Sequence, residues 1–319
     1  MDDLHQLARF DDRLSFLYVE HARIDQHEQA IAVHDKEGST HVPVAALAVL
    51  MLGPGTTITH AAARTLADNN CLVAWVGQEG VRMYAHSTGG TRSSANLLKQ
   101  AALWASPIAR LAVVRRMYER RFDETLPEGL SLKQLRGREG IRVRETYAAA
   151  SLKYNVEWTG RLYKRGEWAS ASPVNRALST ANACLYGVVH AAILSAGYSP
   201  ALGFIHTGKQ LSFVYDIADL YKVDVVIPLA FEIAGSYLSD LERSVRLACR
   251  DRFRDTDLLE HIIPEIAAVL DVPGVEVPTT AAIEDWDEEP ARPTRLWDPE
   301  SGGSDQTAEG GMNYGGSDC

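Results

Sequence analysis

The chain has 319 residues, 46% of them hydrophobic and 23% charged, enough for two domains with their own cores. Its start, MDDLHQLARF, shows no basic n-region leading into an apolar h-region. No apolar run reaches the length of a bilayer span, and the four cysteines (Cys71, Cys184, Cys249, Cys319) are scattered without a CxxC pair. These features argue against a secreted, membrane-spanning or zinc-ribbon protein and lead to the expectation of a soluble, cytoplasmic one.

The formal net charge of −10 speaks against nucleic acid only until its distribution is read. Residues 92–176 carry seventeen Lys and Arg against eight acids, whereas residues 279–319 carry ten acids and two bases. The middle of the chain is a basic block, either a solvated helical surface or a track for phosphates.

In chain order, residues 13–83 read mainly as strands. RLSFLYVEHARIDQHEQAIAVHD has β-rich runs broken by polar pairs, and CLVAWVG (71–77) and GVRMYAH (80–86) are separated by a Gln-Glu-Gly turn. Between them, VPVAALAVLML reads as a short helix. It is followed by a Gly-Pro-Gly turn and a helix capped near Thr59. The stretch STGGTRSS (87–94) has turn chemistry and marks a boundary, giving a mostly-β domain over 1–88.

From there the helical period dominates. SSANLLKQAALWASPIARLAVVRRMYERRF gives two helices broken at Pro107. REGIRVRETYAAASLKYN, NRALSTANACLYGVVHAAILSAGY, YDIADLYK, PLAFEIAGSY, SDLERSVRLACRDRFR and DLLEHIIPEIAAVLDV continue a nearly all-α domain over 89–278. The fold class is α+β. Residues 279–319 are acidic and rich in Gly, Ser and Pro and read as a disordered tail, with Trp286 and Trp297 as either docking anchors or stray aromatics.

GFIHTGKQLSFVYDIADLYK (203–222) sets His206, Asp216 and Asp219 among apolar neighbours. Carboxylates avoid such surroundings unless something offsets their desolvation. Asp216 and Asp219, three apart, share one face of a helix, although Asp216 also fits the position of a helix cap. In RGREGIRVRETY (136–147), Glu139 lies among Arg136, Arg138, Arg142 and Arg144. It reads either as a first-turn Glu favoured by the helix dipole or as a carboxylate ligand within a phosphate-binding surface. Arg116 and Arg120, four apart, share a helix face that suits a phosphate track, as do Lys153 and Tyr154 with their own neighbours.

Taken together, RGREGIRVRETY, CLYGVVHAAILSAGYSPALGFIHTGKQLSFVYDIADLYKVDVVIP and VRLACRDRFR resemble the CRISPR-associated integrase family, type I-E branch, over roughly residues 10–278. This is the catalytic subunit of the spacer-acquisition complex. The resemblance implies that Glu139, His206 and Asp219 bind one divalent metal, Mg²⁺ or Mn²⁺, with Asp216 supporting the site. It implies DNA contact or catalysis for Tyr186, Lys222, Arg243 and Arg246, and DNA contact for Arg82 and Arg110. It further implies that a DNA 3′-hydroxyl is joined to a phosphodiester of the CRISPR repeat, so double-stranded DNA, both spacer precursor and repeat, is the expected partner. A homodimer contact through residues 1–88 and a small companion subunit are also implied. Two rivals stay open: a structure-specific endonuclease using water at the same site, and a non-catalytic DNA-binding scaffold.

Overall fold

The computed structural model describes residues 15–274 apart from 29, 81, 88–92, 123–124, 128, 162–170 and 237–239, together with 296–297 and 307–308. The expected boundary near residue 88, Trp286 and nearly all of the acidic tail fall outside the described residues. Residues 1–279 form one compact unit and 280–319 another. In the latter, Leu296–Trp297 pairs antiparallel with Thr307–Ala308.

The first part of the larger unit holds two four-stranded sheets. In one, β1 (Ser15–Val19), β5 (Leu47–Leu52) and β7 (Leu72–Val76) run parallel, and β8 (Met83–His86) adds antiparallel to β7 as an edge. In the other, β2 (Arg23–His27), β3 (Ala30–His34) and β4 (Ser39–Pro43) form an antiparallel meander, with β6 (Thr57–Ile58) parallel to β2. Helix α1 (His60–Asp68) follows the capped start expected of it, the Thr59 hydroxyl accepting from the Ala62 amide.

The expectation of a helix at VPVAALAVLML is overturned. One 3₁₀ turn, Val44–Ala46, is followed by strand β5, every residue of which is buried. β5 lies between two parallel neighbours and is covered on both faces, so its sequence lacks the alternation that marks a half-exposed strand.

The second part is helical: α2 (Ala95–Ala105), α3 (Pro107–Phe122), α4 (Leu132–Tyr154), α5 (Pro173–Ser195), α6 (Ser212–Ala218), a π-turn at Lys222–Val226, α7 (Ile227–Gly235), α8 (Leu241–Asp255) and α9 (Leu258–Val269). Pro107 opens α3, which leaves α2 at 106°. By length and composition α5 could cross a bilayer, but most of it is buried against the surrounding helices, the position of a core helix.

The sheet and the helices meet directly. Ala191 of α5 packs with Val49, Met51, Leu72 and Val76. Nearby, a methyl group at Gly187 would lie 2.3 Å from the Gly80 carbonyl oxygen. The 3₁₀ turn Gln78–Gly80 therefore seats on bare backbone of α5.

Candidate active site

Glu139 lies two turns inside α4, because Ser131 and Gln134 form a capping box that starts the helix at Leu132. The first-turn reading of Glu139 is thereby corrected. From α3, Arg121 places Nη1 2.5 Å from Glu139 Oε1 and 3.4 Å from Asp219 Oδ2. The other Glu139 oxygen accepts from the Tyr118 hydroxyl at 2.9 Å. Burial, with help from Glu139, pushes the Tyr118 hydroxyl pKa well above its ordinary value, so Tyr118 stays a donor. Asp219 closes α6, and its Oδ1 faces Lys222 Nζ at 2.5 Å. Burial alone would lower the Lys222 pKa, but Asp219 and the Tyr186 hydroxyl outweigh it and the net direction is up.

Asp216 does not cap its own helix. It sits in the last turn of α6 with its side chain fully buried, and there it gathers the preceding loop. Its carboxylate accepts from the backbone amides of Phe204 (2.6 Å), Ile205 (3.0 Å) and His206 (2.9 Å) and pairs with His206 Nδ1 at 2.7 Å. Gly203 permits the tight turn, since a Cβ there would lie 2.3 Å from the His206 carbonyl oxygen. The carbonyls of the same loop are held from the other side. Gln100 donates to those of Ser199 and Leu202, Trp104 to Gly203, and Arg110 to Phe204. The His206 ring is 44% exposed. Its hydrogen bond to Asp216 raises its pKa against the opposing effect of partial burial, and the charges of Asp216 and Asp219 add to the rise.

Of the other expected residues, Tyr186 adjoins this centre through Lys222. Tyr186 of α5 carries Lys222 Nζ 5.0 Å above its ring and meets Tyr215 edge-on, and Tyr215 in turn meets His206. Arg246 of α8 donates to the Gln78 side chain, and Arg82, in left-handed backbone at φ 65°, leaves the same 3₁₀ turn with its side chain exposed. Arg243 is exposed one turn before Arg246. Arg110 is tied by two of its nitrogens to the His206 loop and stacks on Trp104.

Arg116 and Arg120 do share a face, and that face engages α9, with Arg116 on the Ala268 carbonyl and Arg120 on Glu265. Lys153 lies over the Tyr154 ring. Arg121, Tyr118 and Tyr215 escape sequence reading. Arg121 is one of four arginines in RRMYERRF, with nothing in the spacing to single it out.

The donor set fits a divalent cation. Two carboxylates from different elements already converge on one cationic nitrogen, and Asp216 engages Nδ1 of His206, leaving Nε2 as the ring nitrogen available to ligate. Among the described residues no three His, Cys, Asp or Glu side chains stand as one ligating group, and Arg121 Nη1 contacts both Glu139 and Asp219.

Comparison with known proteins gives a consistent result. A family model described as CRISPR associated protein Cas1 matches residues 16–126 and 118–240. The chain is 50% identical over 319 residues to the CRISPR-associated endonuclease Cas1 2 of Thermus thermophilus, covering 99% of this chain and 94% of the relative. It is 48% identical over 268 residues to the CRISPR-associated endonuclease Cas1 of Escherichia coli K12, covering 84% and 88%. A solved structure described as a TtCas1–DNA complex superposes with a TM-score of 0.74 at 52% identity, covering 82% of this chain and 98% of that one. The chain therefore belongs to the Cas1 family of CRISPR-associated endonucleases.

Proposed function

We propose that the protein inserts DNA fragments into a CRISPR array. A DNA 3′-hydroxyl attacks a repeat phosphodiester; one P–O bond forms as another breaks, and the hydroxyl proton ends on the leaving oxygen. The observation that carries this reading is the meeting of Glu139 and Asp219 at one cation, with His206 fixed by Asp216 and within electrostatic reach of Asp219 and Lys222. Glu139, Asp219 and His206 Nε2 would hold Mg²⁺ or Mn²⁺. Such an ion, when bound, would supply a lowered hydroxyl pKa and neutralisation of charge on the phosphate. Asp216 orients the imidazole and fixes its tautomer. Lys222, kept protonated beside Asp219, presents a cation to a phosphate oxygen, and the Tyr186 hydroxyl directs that cation. Arg82, Arg243 and Arg246, near the junction of sheet and helices, contact the duplex backbone and position it without reading its sequence.

The DNA-bound relative supports DNA as the partner. The relatives' designation as endonucleases favours a second reading, in which water replaces the 3′-hydroxyl at the same site. A homodimer would form through the β part. Its edge strand β8 presents Tyr84, 68% exposed, next to the partly exposed Trp75 of β7. A small companion subunit completes the assembly, which works in the cytoplasm.

The test is a strand-transfer assay with the companion, a labelled duplex bearing 3′-hydroxyls and a supercoiled plasmid carrying a repeat, run with Mg²⁺, Mn²⁺ or chelator. Label joined to the plasmid in the presence of metal, and lost with His206→Ala, is expected. Plasmid nicking without joined label selects the endonuclease. Duplex binding with no reaction under any condition selects the scaffold.

A further inference from the structure

Arg121 occupies the position where the two carboxylates meet. Its side chain is 7% exposed, and its Nη1 serves Glu139 at 2.5 Å and Asp219 at 3.4 Å. The remaining oxygens of the pair face Tyr118 and Lys222. Two carboxylates are thus matched by two cations, Arg121 and Lys222. A guanidinium does not lose its proton in a protein, so it cannot make room by titrating. A dication placed beside it meets like-charge repulsion that so buried a setting screens poorly. The guanidinium must therefore move. Moving it breaks no hydrogen bond at Nε, which is buried without a hydrogen-bond partner among the described residues. A phosphodiester entering the site offers it a planar, bidentate alternative to the carboxylates.

We propose that Arg121 is a resident competitor for the divalent cation, holding Glu139 and Asp219 together and releasing them when a DNA phosphate takes its guanidinium, so that metal and DNA bind cooperatively. The inference rests on the metal-dependent reading above and adds a positioning residue to it. By linkage, whatever factor DNA contributes to metal affinity, metal contributes to DNA affinity.

The experiment is Mn²⁺ binding by electron paramagnetic resonance on the full chain, with and without a short duplex bearing 3′-hydroxyls. Without DNA, Arg121→Gln is expected to bind Mn²⁺ roughly tenfold more tightly than wild type, within the usual span of coupling between sites. Duplex is expected to tighten wild type by a similar factor and to leave Arg121→Gln nearly unchanged. Equal or weaker Mn²⁺ affinity in Arg121→Gln overturns the proposal, as does an equal effect of duplex on both proteins. Should the glutamine variant not fold, Arg121→Lys decides. Its shorter stem loosens the bridge, so a severalfold gain in affinity supports the proposal and wild-type or weaker affinity refutes it. His206→Ala separates the two layers: Mn²⁺ binding indifferent to that change places the metal elsewhere and sinks the functional reading as well.

Discussion

Asp216 and Asp219 stand three positions apart in one short helix and do different work. Asp216 is fully buried and accepts from three backbone amides and one imidazole, whereas Asp219 faces two cations. Replacing Asp216 by Ala strands donors at a buried turn, and each such donor costs about 1–3 kcal/mol. Replacing the half-exposed His206 removes little packing. Urea unfolding is therefore expected to show Asp216→Ala losing about 2–4 kcal/mol and His206→Ala less than about 1 kcal/mol, although both abolish joining. Similar stability in the two variants would refute the division of roles. That the two aspartates belong to one helical segment was legible from the sequence. Asp216's purpose was not, because its partners are backbone amides that exist only once the loop has closed.

At the scale of elements, the loop 199–206 is held from two sides, its amides by α6 and its carbonyls by α2 and α3. Gln100 is the inner tie: completely buried, it donates to two carbonyls and accepts from the Ser199 amide at 2.8 Å. Gln100→Ala is expected to slow joining at saturating DNA while leaving duplex affinity unchanged, because it loosens the loop that carries His206 and touches no phosphate surface. A matching loss of affinity would show that the loop itself binds DNA. The periodicity of α2 and α3 and the break at Pro107 were visible in the sequence; the use of their polar side chains as ties was not. β5 shows the opposite failure. Six consecutive apolar residues fit a buried helix or a buried strand equally well, and only the parallel neighbours on both sides decide between them.

Across the whole molecule, the seventeen cations of residues 92–176 are divided between tasks. Arg110, Arg116, Arg120, Arg121 and Arg176 hold helices, loops or carboxylates. Charge counting finds the block but cannot allocate it, since each allocation depends on which helix lies opposite. The salt dependence of duplex affinity separates the two kinds. Arg82→Ala is expected to reduce the slope of log affinity against log salt by about 0.9, the value for a single phosphate that is no longer neutralised. Arg120→Ala is expected to leave the slope unchanged and to lower stability by no more than about 1 kcal/mol, the usual worth of an exposed ion pair. A reduced slope for Arg120→Ala would return it to the phosphate surface.

The close approach of Gly187 to the Gly80 carbonyl bears on how such chains can be recombined. At this one point sheet meets helices main chain to main chain, with no side chain whose size could be adjusted from either side. A hybrid built from the sheet of one relative and the helices of another would tolerate wide differences in surface composition. It would not tolerate a side chain at this junction, because the added bulk would tilt the turn that leads into Arg82 away from Tyr186 and Arg246. The smallest residue in the interface thus sets the terms on which the two halves can be exchanged.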